Sequence, residues 1–144
     1  PALAEQLDIL APKLSFLSIG TNDLTQFLFA ADRANPKLAE RYDWLSPAIL
    51  RFLSRVLKSV EGHNIDVTIC GEMGGRQLEA LALLGLGLRR LSITPASVGP
   101  IKELVRQIDL GEIRAAMAGW LAAPPADMRG TLQAWAQERG LAIE

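Results

Sequence analysis

Two kinds of apolar spacing alternate along the chain. Short stretches at 16–19, mostly apolar, and 66–69, rich in β-branched residues, have the length of strands, whereas the stretches between them repeat apolar residues every three to four positions, as helices do. Leu3, Leu7 and Leu10 predict a helix over 1–11 that Pro12 ends. The first strand, 15–19, empties into Gly20 and a polar loop at 20–23; helical spacing resumes over 24–31, and Asn35 and Pro36 break it. Ser46 as N-cap and Pro47 at the first helical position open the most regular helix. Its stripe is Ile49, Phe52, Leu53, Val56, Leu57 and Val60, and Gly62 closes it.

The second strand, 66–69, leads into Cys70-Gly71-Glu72-Met73-Gly74-Gly75. A helix over 76–84 follows, ended by Gly85 and Gly87, then a short third strand at 90–93 and a loop at 94–100. Ile101, Leu104, Val105 and Ile108 mark another helix. Asp109 and Glu112 form a capping box for the helix that carries Ile113, Met117, Trp120 and Leu121. After a hinge at Pro124 and Pro125, a terminal helix over 127–139 turns Leu132 and Trp135 inward and stops at Gly140.

Strands alternating with helices predict parallel βα units, an α/β fold in which the strand C-terminal ends share one edge of the sheet. Segments 20–23, 70–72 and 94–97 then gather on one face despite their separation in sequence. That face holds the active site in open parallel sheets and in (β/α)8 barrels.

The composition narrows the function classes. With 144 residues, 49% hydrophobic, 22% charged and a formal net charge of -1, the chain is globular and carries no basic excess for nucleic acid. Gly, Pro or charge interrupts every apolar stretch before the roughly 18 residues needed to span a bilayer, so no membrane insertion is expected. Nor is a leader, because Pro1 opens directly into an amphipathic segment. A single cysteine leaves a free thiol suited to a reducing cytoplasm, and one histidine beside it argues against zinc. His63, next to Gly62 at a helix end, reads as a solvated side chain.

Candidate chemistry concentrates at the first two strand ends. Thr21, Asn22 and Asp23 deliver hydroxyl, amide and carboxylate where the first strand stops, although the same residue types also serve as plain helix caps. Arg33 follows ten residues after Asp23, and Cys70-Gly71-Glu72 is a second strand end of the same kind. A lone cysteine is ordinarily a buried structural residue. An isolated arginine ordinarily makes a surface ion pair, here with Asp32 or Glu40.

The runs Phe16-Leu17-Ser18-Ile19-Gly20-Thr21-Asn22-Asp23-Leu24-Thr25-Gln26, Ala31-Asp32-Arg33, Leu45-Ser46-Pro47 and Cys70-Gly71-Glu72 resemble the phosphoenolpyruvate-binding domain of the Enzyme I family, the phosphoenolpyruvate-protein phosphotransferases that start the bacterial sugar phosphotransferase cascade. The likeness continues over 88–105, where Leu91-Ser92-Ile93 sits as the family's last barrel strand does, and so covers residues 1–110. Pyruvate phosphate dikinases and phosphoenolpyruvate synthases share the Gly-Thr-Asn-Asp and Cys-Gly-Glu runs, but Asp32-Arg33 is closer to Enzyme I. The tail over 124–144 resembles the nitrogen-related branch.

The resemblance implies the C-terminal part, about three βα units, of a (β/α)8 barrel over residues 1–122, with a helical extension over 123–144. It implies phosphoryl transfer from phosphoenolpyruvate to a histidine on an amino-terminal domain outside this sequence. From there the phosphoryl group passes to an HPr-type phosphocarrier protein, with pyruvate released in the cytoplasm by a homodimer. By the same resemblance Asn22, Arg33 and Glu72 bind substrate, Asp23 binds substrate and Mg2+, and Cys70 is the general acid that protonates the enolate. The guanidinium fork of Arg33 would grip two phosphate oxygens, and the backbone amides opening the next helix add an anion site. The metal's partner glutamate would fall upstream of Pro1, so Asp23 alone should hold metal poorly. For the parent protein the enzyme is the expected reading, with a dikinase or synthase fragment as the alternative; the chain taken by itself is expected to be an inactive structural or dimerisation module.

Overall fold

β1 (Phe16–Gly20), β2 (Asp66–Cys70) and β3 (Arg90–Ser92) lie side by side in that order, both pairings parallel, as the alternation of strand and helix spacing predicts. The computed structural model from which this is read describes residues 1–32 and 34–143. Side chains alternate across the sheet. Ile69 is fully buried, and Leu17, Ile19, Val67 and Leu91 pack against the helical core on the same face. The other face carries Phe16, Ser18, Thr68, Cys70 and Ser92, and Phe16 is 68% exposed there.

Seven α-helices occur among the described residues: α1 (Leu7–Leu10), α2 (Thr21–Phe29), α3 (Pro47–Ser59), α4 (Gln77–Leu86), α5 (Pro95–Gln107), α6 (Leu110–Ala122) and α7 (Met128–Glu138). α3 follows its stripe closely. Ser46 Oγ accepts from the Ala48 N–H at its start, and Ile49, Phe52, Leu53 and Val56 are buried. α4 is buried from Leu78 to Gly85, which is why its sequence lacks a polar face.

Several element boundaries differ from those the sequence predicts. The expected helix over 1–11 is α1 flanked by 3-10 turns at Ala2–Gln6 and Ala11–Lys13; Leu7 is buried while Leu3 stays 54% exposed. Gly85 does not end α4. A Cβ there would stand 2.5 Å from Met117 Cγ, so this glycine lets α6 approach, and Gly87, at φ +105°, ends the helix instead. The expected loop at 94–100 is the first half of α5, which starts on Pro95 at N1 and keeps Pro100 inside. Proline near a helix start forfeits one hydrogen bond and need not stop the helix. The capping box at Asp109 is half formed: its carboxylate accepts from the Gly111 and Glu112 N–H groups, but Glu112 turns away to Arg139 at 2.8 Å.

α6 and α7 join the core rather than trail from it. Ile113, Met117, Met128, Leu132 and Trp135 are buried, and Arg51 on α3 donates to the Leu121 carbonyl at 2.7 Å. Among the described residues no helix is long and apolar enough to cross a membrane.

Candidate functional site

The strand register gathers the chemistry-bearing residues. Gly20 pairs with Cys70, and Cys70 pairs with Ser92, so all three strands end in one row. β1 passes into α2 without a loop, contrary to the expectation for 20–23: Thr21, Asn22 and Asp23 form the helix's first turn. Thr21 fixes this junction. Its buried hydroxyl donates to the Cys70 carbonyl at 3.4 Å, and its own carbonyl accepts from the Thr25 hydroxyl at 2.8 Å. The N-cap is Gly20, which offers no side-chain acceptor, so the first-turn amides are left without a cap.

Gly71 allows the second strand end to close on the first. At φ +123° it occupies backbone space that other residues rarely adopt, and a Cβ would lie 2.6 Å from Thr21 Oγ1 and 3.3 Å from Asn22 Oδ1. This close approach puts Glu72 beside Asn22, whose Nδ2 donates to Glu72 Oε1 at 3.2 Å. Asn22 Oδ1 is buried with no hydrogen-bond partner among the described residues, an uncommon condition for a buried acceptor. Asn22, Gly71 and Glu72 line an open cleft of about 460 Å3 whose opposite wall is Ser92, Ile93, Thr94 and Ser97. A Cβ at Gly75 would meet Ser97 Oγ at 2.9 Å, so this glycine too lets two walls approach.

The half-buried Cys70 sits at the end of β2, where its Sγ accepts from the Ser18 hydroxyl at 3.5 Å. Thus a thiol, an amide side chain, a carboxylate and uncapped helix amides converge from segments 50 residues apart, as Asn22 and Glu72 illustrate. Asp23 is exposed on the first turn of α2 but borders a different cleft, an apolar one of about 320 Å3 between Leu3, Leu7, Phe27 and Phe52. Among the described residues no three of His, Cys, Asp and Glu come together as a metal cage, and His63 is exposed beyond α3. Arg33, the remaining residue expected in the site, lies outside the described residues.

Several neighbours were not legible beforehand. Ser18 lies two positions before Gly20 and so shares a strand face with the Cys70 thiol, a period-2 signal that could have been read. Arg76, flanking the glycine pair, lines the cleft and stacks its guanidinium over Trp44, 4.9 Å from the ring centroid. Trp44 belongs to a second wall of about 510 Å3 cleft shared with Tyr42 and Arg129, and nothing in local sequence joins it to Arg76. Arg129 donates at 2.7 Å to both Asp43 and the buried Glu79, which raise its pKa above the ordinary arginine value, the Asp43 hydrogen bond most of all.

Residues 1–110 match the family described as PEP-utilising enzyme, PEP-binding domain. The chain is 39% identical over 142 residues, 98% of its length, to a protein of Salmonella typhimurium named phosphoenolpyruvate-dependent phosphotransferase system. It is 40% identical over the same share to the Escherichia coli protein of that name. A phosphoenolpyruvate-protein phosphotransferase of Borreliella burgdorferi is 46% identical over 104 residues, 72% of the chain. In each case the chain spans less than a fifth of the relative, 19% in the first two and 18% in the third.

Proposed function

Since the chain belongs to the PEP-utilising enzymes, matching them through their PEP-binding domain, we propose that it forms the C-terminal part of the catalytic domain of a phosphoenolpyruvate-protein phosphotransferase. The observation that carries this reading is the register of Gly20, Cys70 and Ser92, which sets the uncapped amides of α2, the Asn22 amide and the Cys70 thiol around one cleft. The polar sheet face of Ser18, Thr68, Cys70 and Ser92 supports completion of a (β/α)8 barrel, with residues 1–122 inside it and 123–144 as an added helix packed on its outside.

The phosphoryl group sits at the start of α2, where unpaired N–H groups and the helix dipole favour an anion. Asn22 contributes a side-chain amide from the same turn, and Glu72 orients it through the 3.2 Å hydrogen bond. Arg33 adds the charge that neutralises the phosphoryl oxygens during transfer. The ester P–O bond breaks as a P–N bond forms to a histidine imidazole on another domain. The enolate left behind becomes pyruvate when its terminal carbon takes the Cys70 thiol proton, and solvent reprotonates the thiolate. Ser18, donating to Sγ, holds the thiol toward the open sheet face.

Asp23 would be one ligand of the family's Mg2+: it is exposed and makes no ion pair among the described residues, but it borders the apolar cleft and no second carboxylate joins it there, so waters, substrate oxygens and a carboxylate from outside this sequence would complete the ion's shell. When bound, the metal supplies charge neutralisation at the phosphate. The transferred group passes to an HPr-type phosphocarrier, and the intact protein works as a cytoplasmic homodimer in the phosphotransferase system. Pyruvate release from phosphoenolpyruvate, assayed with and without Mg2+ in the full-length protein, tests the reading. Release that is absent, or indifferent to substitution of Asn22 and Cys70 together, would overturn it.

A further inference from the structure

A second concentration of charge lies away from the strand ends. α4 begins shortly after Glu72 and runs about 15 Å before its last residues meet α3 and α6. There the three helices border an open cleft of about 540 Å3. Arg51, Arg55 and Lys58 line it from α3 and Arg114 from α6, and no Asp or Glu is among its described lining residues. The whole chain carries a formal net charge of -1, so this positive excess is local.

The fold uses part of that charge itself. Arg51 Nε donates to the Leu121 carbonyl at 2.9 Å and its Nη2 to the Ala122 carbonyl at 3.4 Å, filling acceptors that the end of α6 leaves open. Arg89 serves the end of α4 in the same way, donating to the Leu84 carbonyl at 2.9 Å. Arg55, Lys58 and Arg114 are exposed and surplus to these needs. None of them forms an ion pair among the described residues, although Arg55 also borders a smaller recess that holds Glu5. Burial, and then the charge of Arg114, lower the pKa of Arg89, so Arg114 stands near a like charge.

Unpaired cations on two walls of a recess suit an anion, and guanidinium groups favour phosphate in particular. The shape narrows the class. Positions 51–58 extend about 10 Å along α3, farther than one phosphate reaches and suited to a chain of two or three. Between the cations, half-buried Leu86 and Leu121 form an apolar floor with Ala118. The volume falls in the range of roughly 300 to 1,000 Å3 typical of small-molecule sites, whereas nucleic acid calls for an extended basic face. We propose that this cleft binds a nucleoside di- or triphosphate, with its phosphates on Arg55, Lys58 and Arg114 and its base on the Leu86 and Leu121 floor. The assignment does not rest on the phosphotransfer reading, because the cleft shares no lining residue with the strand-end site.

The test is titration calorimetry on the full-length protein with ATP and with inorganic tripolyphosphate as probes. ATP should bind the wild type more tightly than tripolyphosphate, since the base adds its contact with the floor, and should bind more weakly as salt is raised. The Lys58→Gln/Arg114→Gln double variant should raise the ATP dissociation constant about 10- to 100-fold, as loss of charged hydrogen bonds does, with phosphoenolpyruvate binding within about twofold of wild type. Ala118→Glu brings a carboxylate among the cations and removes none, so it should weaken ATP binding without lowering the thermal unfolding midpoint. In Asn22→Ala, at the strand-end site, ATP binding should persist. Failure of the wild type to bind ATP at millimolar concentration overturns the proposal, even if a Glu-rich peptide binds there instead. So does ATP binding that both cleft variants leave unchanged, or that Asn22→Ala abolishes. Tripolyphosphate bound as tightly as ATP would also overturn it, because the floor would then hold no base.

Discussion

Arg129 on α7 reaches the carboxylate of Glu79 on α4 at 2.7 Å, tying the last helix to the one that follows the Cys70 to Glu72 strand end. The same guanidinium holds Asp43, whose Oδ1 also accepts from the Leu45 N–H at 2.9 Å, and so it braces the segment carrying Trp44.

Arg129→Met should therefore destabilise the fold, because Glu79, only 3% exposed, would lose its countercharge. The expected loss is about 2 to 4 kcal/mol, somewhat below that of a fully buried pair because Arg129 itself is 39% exposed. Urea unfolding measures it, and the Arg129→Met/Glu79→Leu double variant should regain much of the stability. A double variant no better than the single one would place the cost elsewhere than in an orphaned carboxylate.

Gly71→Ala should damage the site more than the fold. The added methyl meets Thr21 Oγ1 at 2.6 Å on a backbone at φ +123°, which costs about 1 to 3 kcal/mol and pushes the Cys70 strand end away from Asn22. In the full-length protein we expect weaker phosphoenolpyruvate binding by calorimetry, with a thermal unfolding midpoint only a few degrees lower. Wild-type affinity would mean that the two strand ends need not approach this closely.

Cys70→Ala should separate binding from proton delivery. If Asn22, Asp23 and Arg33 hold the phosphate and metal as proposed, affinity should persist while pyruvate formation falls roughly 100- to 10,000-fold, the usual contribution of a positioned general acid. Rapid-quench experiments would show histidine phosphorylation outrunning pyruvate release as water protonates the enolate slowly. Wild-type pyruvate formation would return Cys70 to the role of a structural thiol.

The chain by itself should associate. Leu3, Ile9, Phe16 and Phe27 are 54%, 66%, 68% and 67% exposed, and β1 and β3 both leave open strand edges. Sedimentation should find dimers or larger species at micromolar concentration. A compact monomer with a sharp, high-temperature unfolding transition would contradict this.

Periodicity alone determined the α/β class, the parallel strands and the α3 stripe, because burying one face of a helix or strand imposes its period on the sequence directly. The motifs at Asn22, Asp23 and Cys70 were legible for a related reason: each lies where an apolar run stops, and a parallel sheet must bring such ends together. Sequence erred where two segments compete for space. Gly85 looks like a helix terminator until Met117 arrives against it, and Pro100 looks like a breaker until Pro95 starts the helix ahead of it. The loop expected at 20–23 became the first turn of α2 because the Thr21 hydroxyl has the Cys70 carbonyl to bind, 49 residues away. Only the tertiary structure decided the stack of Arg76 on Trp44 and the bridge from Arg129 to Glu79. Charged and aromatic side chains carry no period, and their partners are chosen by whichever neighbour the packed helices deliver.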